Sequence, residues 1–284
     1  MTVWADVSEW QRPVDDSYPY RMIAIRANDG TYRDRNWDSN YGWCRSAADS
    51  GRLDCFIVYL VYRPNWKQTL DTIKSMVGSP HPKMIVMVDV ESWGGQIAGD
   101  QSAGIDALVS GLRAWCGRVI AYMNPNDSFL WPGRPADVPM IVPRYASSRP
   151  SMTGMIGWQY TDGSGYGPSG WPQGAAPFGA CDMNYTDLST TDFAAQCGIG
   201  EDIDMAAKDD IIGFIRDYVG PIGSDVKDIR QQLTGGRDAG EYPGWRQLGQ
   251  NDKGQNLTVV DSLADARNRI IALEKVVAEL KAAK

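Results

Sequence analysis

Met84-Ile85-Val86-Met87-Val88-Asp89-Val90-Glu91 is the stretch on which the fold depends. Five apolar residues run without a break and end in two acids one residue apart. Such a run suits a strand covered on both faces, as in a parallel sheet flanked by helices. Side chains at i and i+2 of a strand point the same way, so Asp89 and Glu91 share a face. Two steps of strand rise place their Cβ atoms roughly 6.5–7 Å apart. Taken alone, the same Asp-x-Glu also suits the start of a following helix or loop, where acids cap free N–H groups.

Similar apolar runs lie at 22–25, 56–62, 119–122, 140–142 and 155–158. Helical patterns alternate with them at 40–50, at 66–76 with Leu70, Ile73 and Val77 on one stripe, and at 103–115 with Ile105, Leu108, Val109 and Leu112. Strand–helix alternation at this pitch implies parallel β/α units, and a barrel is their natural closure. Beyond about residue 125 the helices thin out, and Gly, Pro and Trp dominate 131–178, so the barrel is expected to be irregular. The expected fold class is α/β. A modified, irregular, TIM-like β/α barrel spans 1–192, a small α-helical linker or anchor region 193–256, and a C-terminal coiled-coil helix 257–284.

The formal net charge of −7 argues against a nucleic-acid partner, which calls for a basic stripe. No apolar stretch of about 18 residues exists, so no membrane insertion is expected. The start, Met1-Thr2-Val3-Trp4-Ala5-Asp6, lacks the basic and apolar regions of a secretory signal. A chain that acts outside its cell would then be expected to leave by lysis, a holin or a virus particle. Cys44, Cys55, Cys116, Cys181 and Cys197 are odd in number and show no CxxC, so they are expected as small buried residues, with no metal site. The single histidine, His81, sits between two prolines and is expected in a surface loop. That nearly removes Ser-His-Asp hydrolases and multi-histidine metal centres. No nucleotide loop is visible, and no cofactor is expected.

In a β/α barrel the C-terminal strand ends line the active site. Two carboxyl groups there, flanking one bond, equip a glycosidase: one protonates the leaving oxygen, and the other supports the developing charge or activates the attacking group. Crowding the acids raises at least one pKa and keeps a proton donor near neutral pH.

The flanking motifs are Asp6-Val7-Ser8-Glu9-Trp10-Gln11, Ile25-Arg26-Ala27, Ala121-Tyr122, Gly157-Trp158-Gln159-Tyr160 and Cys181-Asp182-Met183-Asn184. In this order they resemble the family-25 glycoside hydrolases over residues 4 to about 187. That family carries Asp-Val-Ser-x-x-Gln, then Asp-x-Glu, then Trp-Gln-Tyr before a closing Asp-x-Asn. The resemblance implies a modified β/α barrel and hydrolysis of the β-1,4 bond between N-acetylmuramic acid and N-acetylglucosamine in peptidoglycan glycan strands. It implies Glu91 as general acid and Asp89 as the group that stabilises the transition state or orients the acetamido group. Asp6 and Asp182 become further acids of the cleft. Pro143-Arg144-Tyr145 departs from the family, which often has Trp before this stretch, and Trp93-Gly94-Gly95 looks like a short loop.

Aromatic faces stack on sugars at low entropic cost. Tyr32, Trp37, Tyr62, Trp93 and Tyr160 are candidates, and Tyr59, Tyr122, Tyr145, Trp158 and Gln159 are the expected substrate contacts. Arg26 suits a bidentate hold on an acid or a substrate oxygen, or a structural salt bridge.

The composition changes near residue 190. An acidic amphipathic segment at 201–219 is expected to break at Gly220-Pro221, and a second helix over 225–233 to stop at Gly235-Gly236. At the end, Leu263, Ile270 and Val277 fall at heptad a positions and Ala266, Leu273 and Leu280 at d, with Arg269 at g and Glu274 at e. Self-association through 259–284 as a dimer or trimer is expected, against one helix folded back on its own chain. Residues 229–261 resemble the tail segment of mycobacteriophage minor tail proteins. That resemblance implies a virion enzyme at the tail tip, beside other tail proteins, which opens the wall during DNA entry. The alternatives are a released endolysin, held in the host cytoplasm before lysis, and a non-catalytic structural or glycan-binding tail protein.

Overall fold

The computed structural model describes residues 2–200, 212–235 and 244–283. The chain divides into two compact units, Met1–Asp202 and Ile203–Lys284. The first runs through β1 (Thr2–Val7), β2 (Ala24–Asp29), β3 (Tyr32–Arg33), α1 (Trp37–Asp49), β4 (Phe56–Val61), α2 (Trp66–Val77), β5 (Met84–Val90) and α3 (Ser102–Cys116). It continues with β6 (Val119–Met123), β7 (Met140–Pro143), β8 (Met155–Thr161), the ribbon β9 (Gly174–Ala175) and β10 (Gly179–Ala180), β11 (Asp182–Thr186) and α4 (Thr190–Gln196).

The strands pair in the order β1-β11-β8-β7-β6-β5-β4-β2, and β1 also pairs with β2, which closes a barrel. β3 folds back on β2 as a hairpin. β11 runs antiparallel to both its neighbours, and every other barrel pairing is parallel. The barrel is irregular as expected: after β6 only a short 3-10 turn, Pro125–Leu130, precedes β7.

Alternation along the strands builds two cores. Ile25, Val58, Val86 and Val88 face outward and are covered by Ile73, Ile105 and Leu108 of the helices. Ile57, Ile85, Ile120 and Ile141 face inward. Trp4 fills the inner end, and Gly157 makes room for it, because a Cβ there would stand 3.1 Å from the Trp4 ring. Phe193 of α4 packs on Trp4 with ring centroids 5.4 Å apart and closes that end of the barrel.

Several expectations are corrected. The strand expected at 22–25 begins at Ala24 and reaches Asp29. β1 and β11 were not anticipated as strands, being short and mixed in polarity. His81 is largely covered, not loosely exposed: its Nε2 lies 2.9 Å from Asp49, and Lys83 N–H donates to its Nδ1 at 3.1 Å. The cysteines match their expectation: all five are free and buried.

The second unit holds α5 (Gly220–Thr234), a hairpin of β12 (Trp245–Gln250) and β13 (Asn256–Leu257), and α6 (Val259–Ala282). Gly220-Pro221 does not break the chain's helical path. A π-turn over Ile215–Val219 precedes it, in which Gly220 N–H donates to the Ile215 carbonyl. The wider turn absorbs the missing N–H and the ring bulk of Pro221. Helix α5 ends at Gly235, whose φ of 78° suits glycine. Thr258 and Asp261 cap α6 reciprocally. The earlier part of the acidic segment (201–211), Gly236, Tyr242 and Pro243 lie outside the described residues. Among the described residues no helix is long and apolar enough to cross a membrane.

Candidate active site

Strand alternation decides which side chains reach the open end of the barrel. On β5, Ile85 and Met87 point inward, and Asp89 continues their file. Glu91 follows one residue past the strand and is half-buried. In the same way Asp6 stands two residues beyond Trp4 on β1, Tyr59 beyond Ile57 on β4, and Tyr122 beyond Ile120 on β6. β11 contributes through its reversal. An antiparallel strand begins on the rim where its parallel neighbours end, so its first residue, Asp182, pairs directly across from Asp6.

These six side chains, with Arg26, Tyr145 and Gln159, line one cleft of about 610 Å3. Burial pushes the Glu91 carboxyl up to about 7, helped by the charges of Asp127 and Asp182. Burial, with Asp162 adding, raises Asp182 to about 6. Asp89 is held well above the usual carboxylate range by burial, then by Glu91 and Asp6. Asp6 is raised likewise by burial and by Asp182, against a hydrogen bond from the Tyr59 hydroxyl. One carboxyl oxygen of Asp89 is buried without a protein partner. The arrangement keeps a proton donor near neutrality, beside a buried acid with a free acceptor atom.

Gln159 accepts from the Tyr122 hydroxyl at 2.7 Å and the Tyr145 hydroxyl at 3.0 Å, which fixes its amide in the cleft. Arg26 lines the cleft and is also ion-paired: its Nε donates to Asp34 at 3.0 Å, and its Nη2 lies 3.3 Å from Glu9. Glu9 N–H donates to Asp34 at 2.8 Å, and the Glu9 carboxylate accepts from Tyr32 and Arg35. This network pins the loop after β1, and Trp10 stands on the rim with 75% of its surface exposed.

Trp158 is not in the cleft. It neighbours Gln159 on β8, so it points to the opposite face, packs against Trp171 and Tyr185, and donates to the Arg144 carbonyl at 2.8 Å. Trp37, Tyr62 and Tyr160 are buried packing residues too. Tyr32 and Trp93 do line the cleft. Trp93 has a φ of 49° and is followed by Gly94 and Gly95, also at positive φ. Its ring lies 5.8 Å from the Arg63 guanidinium, which is itself bound by Asp29.

Sequence reasoning missed Trp10 and Asp29 as lining residues. Asp29 had a readable signal, since β2 ends in an acid just as the run at 84–91 does. Trp10 had none beyond its place in the opening motif.

A family profile described as the Rv3766 C-terminal domain matches residues 203–273. A curated relative, "Uncharacterized protein Rv3766" of Mycobacterium tuberculosis (strain ATCC 25618 / H37Rv), is 45% identical over 280 residues, covering 96% of this chain and 98% of its own. Among solved structures, a family 25 glycosyl hydrolase from Bacillus anthracis superposes with a TM-score of 0.55 at 14% identity, over 69% of this chain and 93% of that one. GHIP, a glycosyl hydrolase 25 of Streptococcus pneumoniae, gives 0.52 at 13% identity over 69% and 92%. The catalytic domain of endolysin ply40 from Listeria bacteriophage P40 gives 0.50 at 16% identity over 69% and 98%. At these identities the likeness concerns the fold: the barrel is of the family-25 glycoside hydrolase type.

Proposed function

The chain belongs to the Rv3766 family, and we propose that its barrel is a peptidoglycan hydrolase of muramidase type that cleaves the β-1,4 bond between N-acetylmuramic acid and N-acetylglucosamine. One observation carries the reading: Glu91 keeps its proton to about pH 7 at the mouth of a cleft that also gathers Asp89, Asp6 and Asp182. Glu91 protonates the glycosidic oxygen as the bond breaks. Asp89 lies deeper, with one oxygen free of protein partners, and serves the sugar by supporting positive charge at the anomeric carbon or by accepting from the acetamido N–H. Trp10, Trp93 and Tyr145 offer exposed aromatic surface along the cleft for sugar rings.

A glycan-binding scaffold is the competing reading. It does not account for four acids crowded around a single arginine that Glu9 and Asp34 already bind, an arrangement that binding alone does not need and that costs stability. The finer reading as a virion tail-tip enzyme rests on the likeness of residues 229–261 to phage tail segments. The relative matched along its whole length is a mycobacterial protein, so the proposal stops at the wall polymer and does not extend to a particle.

The test is reducing-sugar release from purified mycobacterial peptidoglycan by the wild type, Glu91→Gln and Asp89→Asn. The wild type should release sugar, and Glu91→Gln should lose roughly 10²–10⁴-fold, the span of a lost general acid. A folded wild type that releases nothing beside a working control enzyme favours the scaffold.

A further inference from the structure

We infer that this chain self-associates through two parallel, in-register coiled-coil seams, one on α5 and one on α6, with other copies of itself as the partner. On α5 and the last residue of the π-turn before it, Val219, Ile222, Val226, Ile229 and Leu233 recur at steps of three and four residues. On α6, Leu263, Ala266, Ile270, Leu273, Val277 and Leu280 do the same. Apart from Ala266, these side chains are 44–66% exposed. Neither stripe is covered by the rest of the chain among the described residues.

A surface helix of a lone domain normally turns its apolar stripe inward. Here both stripes face outward, and each keeps a 3.5-residue period instead of the 3.6 of a straight helix. That period is the mark of helices that wind on one another. Such a seam is self-complementary: an a residue packs at the a layer of the neighbouring copy, and a d residue at its d layer.

The charges agree with a parallel arrangement. Arg269 at g and Glu274 at e have the spacing at which g of one parallel helix meets e of the next. Within its own helix Arg269 holds Asp265 through Nε at 2.9 Å, and its other guanidinium N–H groups remain for a partner. Eleven seam residues, mostly half-exposed, offer on the order of 800 Å2 per chain, the size class of a stable specific interface. An assembly would carry several barrels on one stem, which raises retention on an insoluble polymer without any new contact to it. The inference stands on the second unit alone and does not depend on the proposed activity.

Sedimentation of the full chain at micromolar concentration should give a dimer or trimer mass, and the double variant Ile229→Asp, Ile270→Asp should sediment as a monomer with an unchanged near-UV spectrum. A symmetric cross-link reads orientation. Leu273→Cys, at d, should form an intermolecular disulfide in most chains with diamide as oxidant, and Lys275→Cys, at f, should not. The five native cysteines are buried and do not compete. A monomeric wild type overturns the inference, as does cross-linking at position 275 in preference to 273.

Discussion

Glu91 holds its proton where an unfolded glutamate has already lost it, and that difference is linked to stability. In the unfolded chain this group ionises near 4.5, and in the folded chain near 7. Between those values the native state binds a proton that the unfolded state does not, so stability falls as pH rises through the window. Below it both states are protonated, and the penalty vanishes. Glu91→Gln should therefore melt with the wild type at pH 4 and several degrees above it at pH 8, while activity is lost at both. Wild-type activity should decline as pH passes about 7 and the acid ionises. Equal melting temperatures at pH 8 would mean that the raised pKa is not present. The residue scale was also where the sequence was most readable. The i, i+2 rule placed Asp89 and Glu91 together. The same rule, applied to Trp158 and Gln159, separates them, and a motif read as one block had concealed it.

At the scale of elements, unbroken apolar runs found the strands buried on both sides, and three- and four-residue apolar spacing found the helices with one buried stripe. β1 and β11 escaped, since each mixes rim acids with core residues over five or six positions. The reversal of β11, which brings Asp182 level with Asp6, is a matter of topology that no local pattern encodes. Gly220-Pro221 read as a stop because the compensating π-turn lies before it and not in it. The loop after Glu91 carries a further consequence. Trp93 sits at positive φ, a conformation that costs a non-glycine residue of order 1–3 kcal/mol. Its contact with Arg63 returns only about 0.5–1 kcal/mol. The ring's partial burial nearly offsets the remainder, and its exposed part stands over the cleft. Trp93→Gly should melt within a few degrees of the wild type and raise KM for glycan strands several-fold, with kcat nearly kept. A melting temperature several degrees lower, with KM unchanged, would show that the ring only packs.

At the scale of the whole molecule, two units with separate interiors should unfold separately. The barrel buries a large two-sided core of its own, so its transition should not move with protein concentration. The second unit leaves its helix stripes outward, so under the proposed self-association its transition should follow mass action. Each tenfold dilution removes about 1.4 kcal/mol from a dimer. The two transitions can be told apart by signal. Ten of the eleven tryptophans lie in the first unit, so near-UV dichroism follows the barrel, whereas α5 and α6 dominate the helical far-UV signal of the second unit. Thermal scans at two concentrations a hundredfold apart should show a fixed near-UV midpoint and, in the far-UV, where helices of both units contribute, one fixed step and one step that falls on dilution. If both signals shift together, the barrel is coupled to the assembly and the units do not act independently. If neither shifts, the helical stripes are not held by other copies of the chain, and the proposed multivalent arrangement of barrels falls with them.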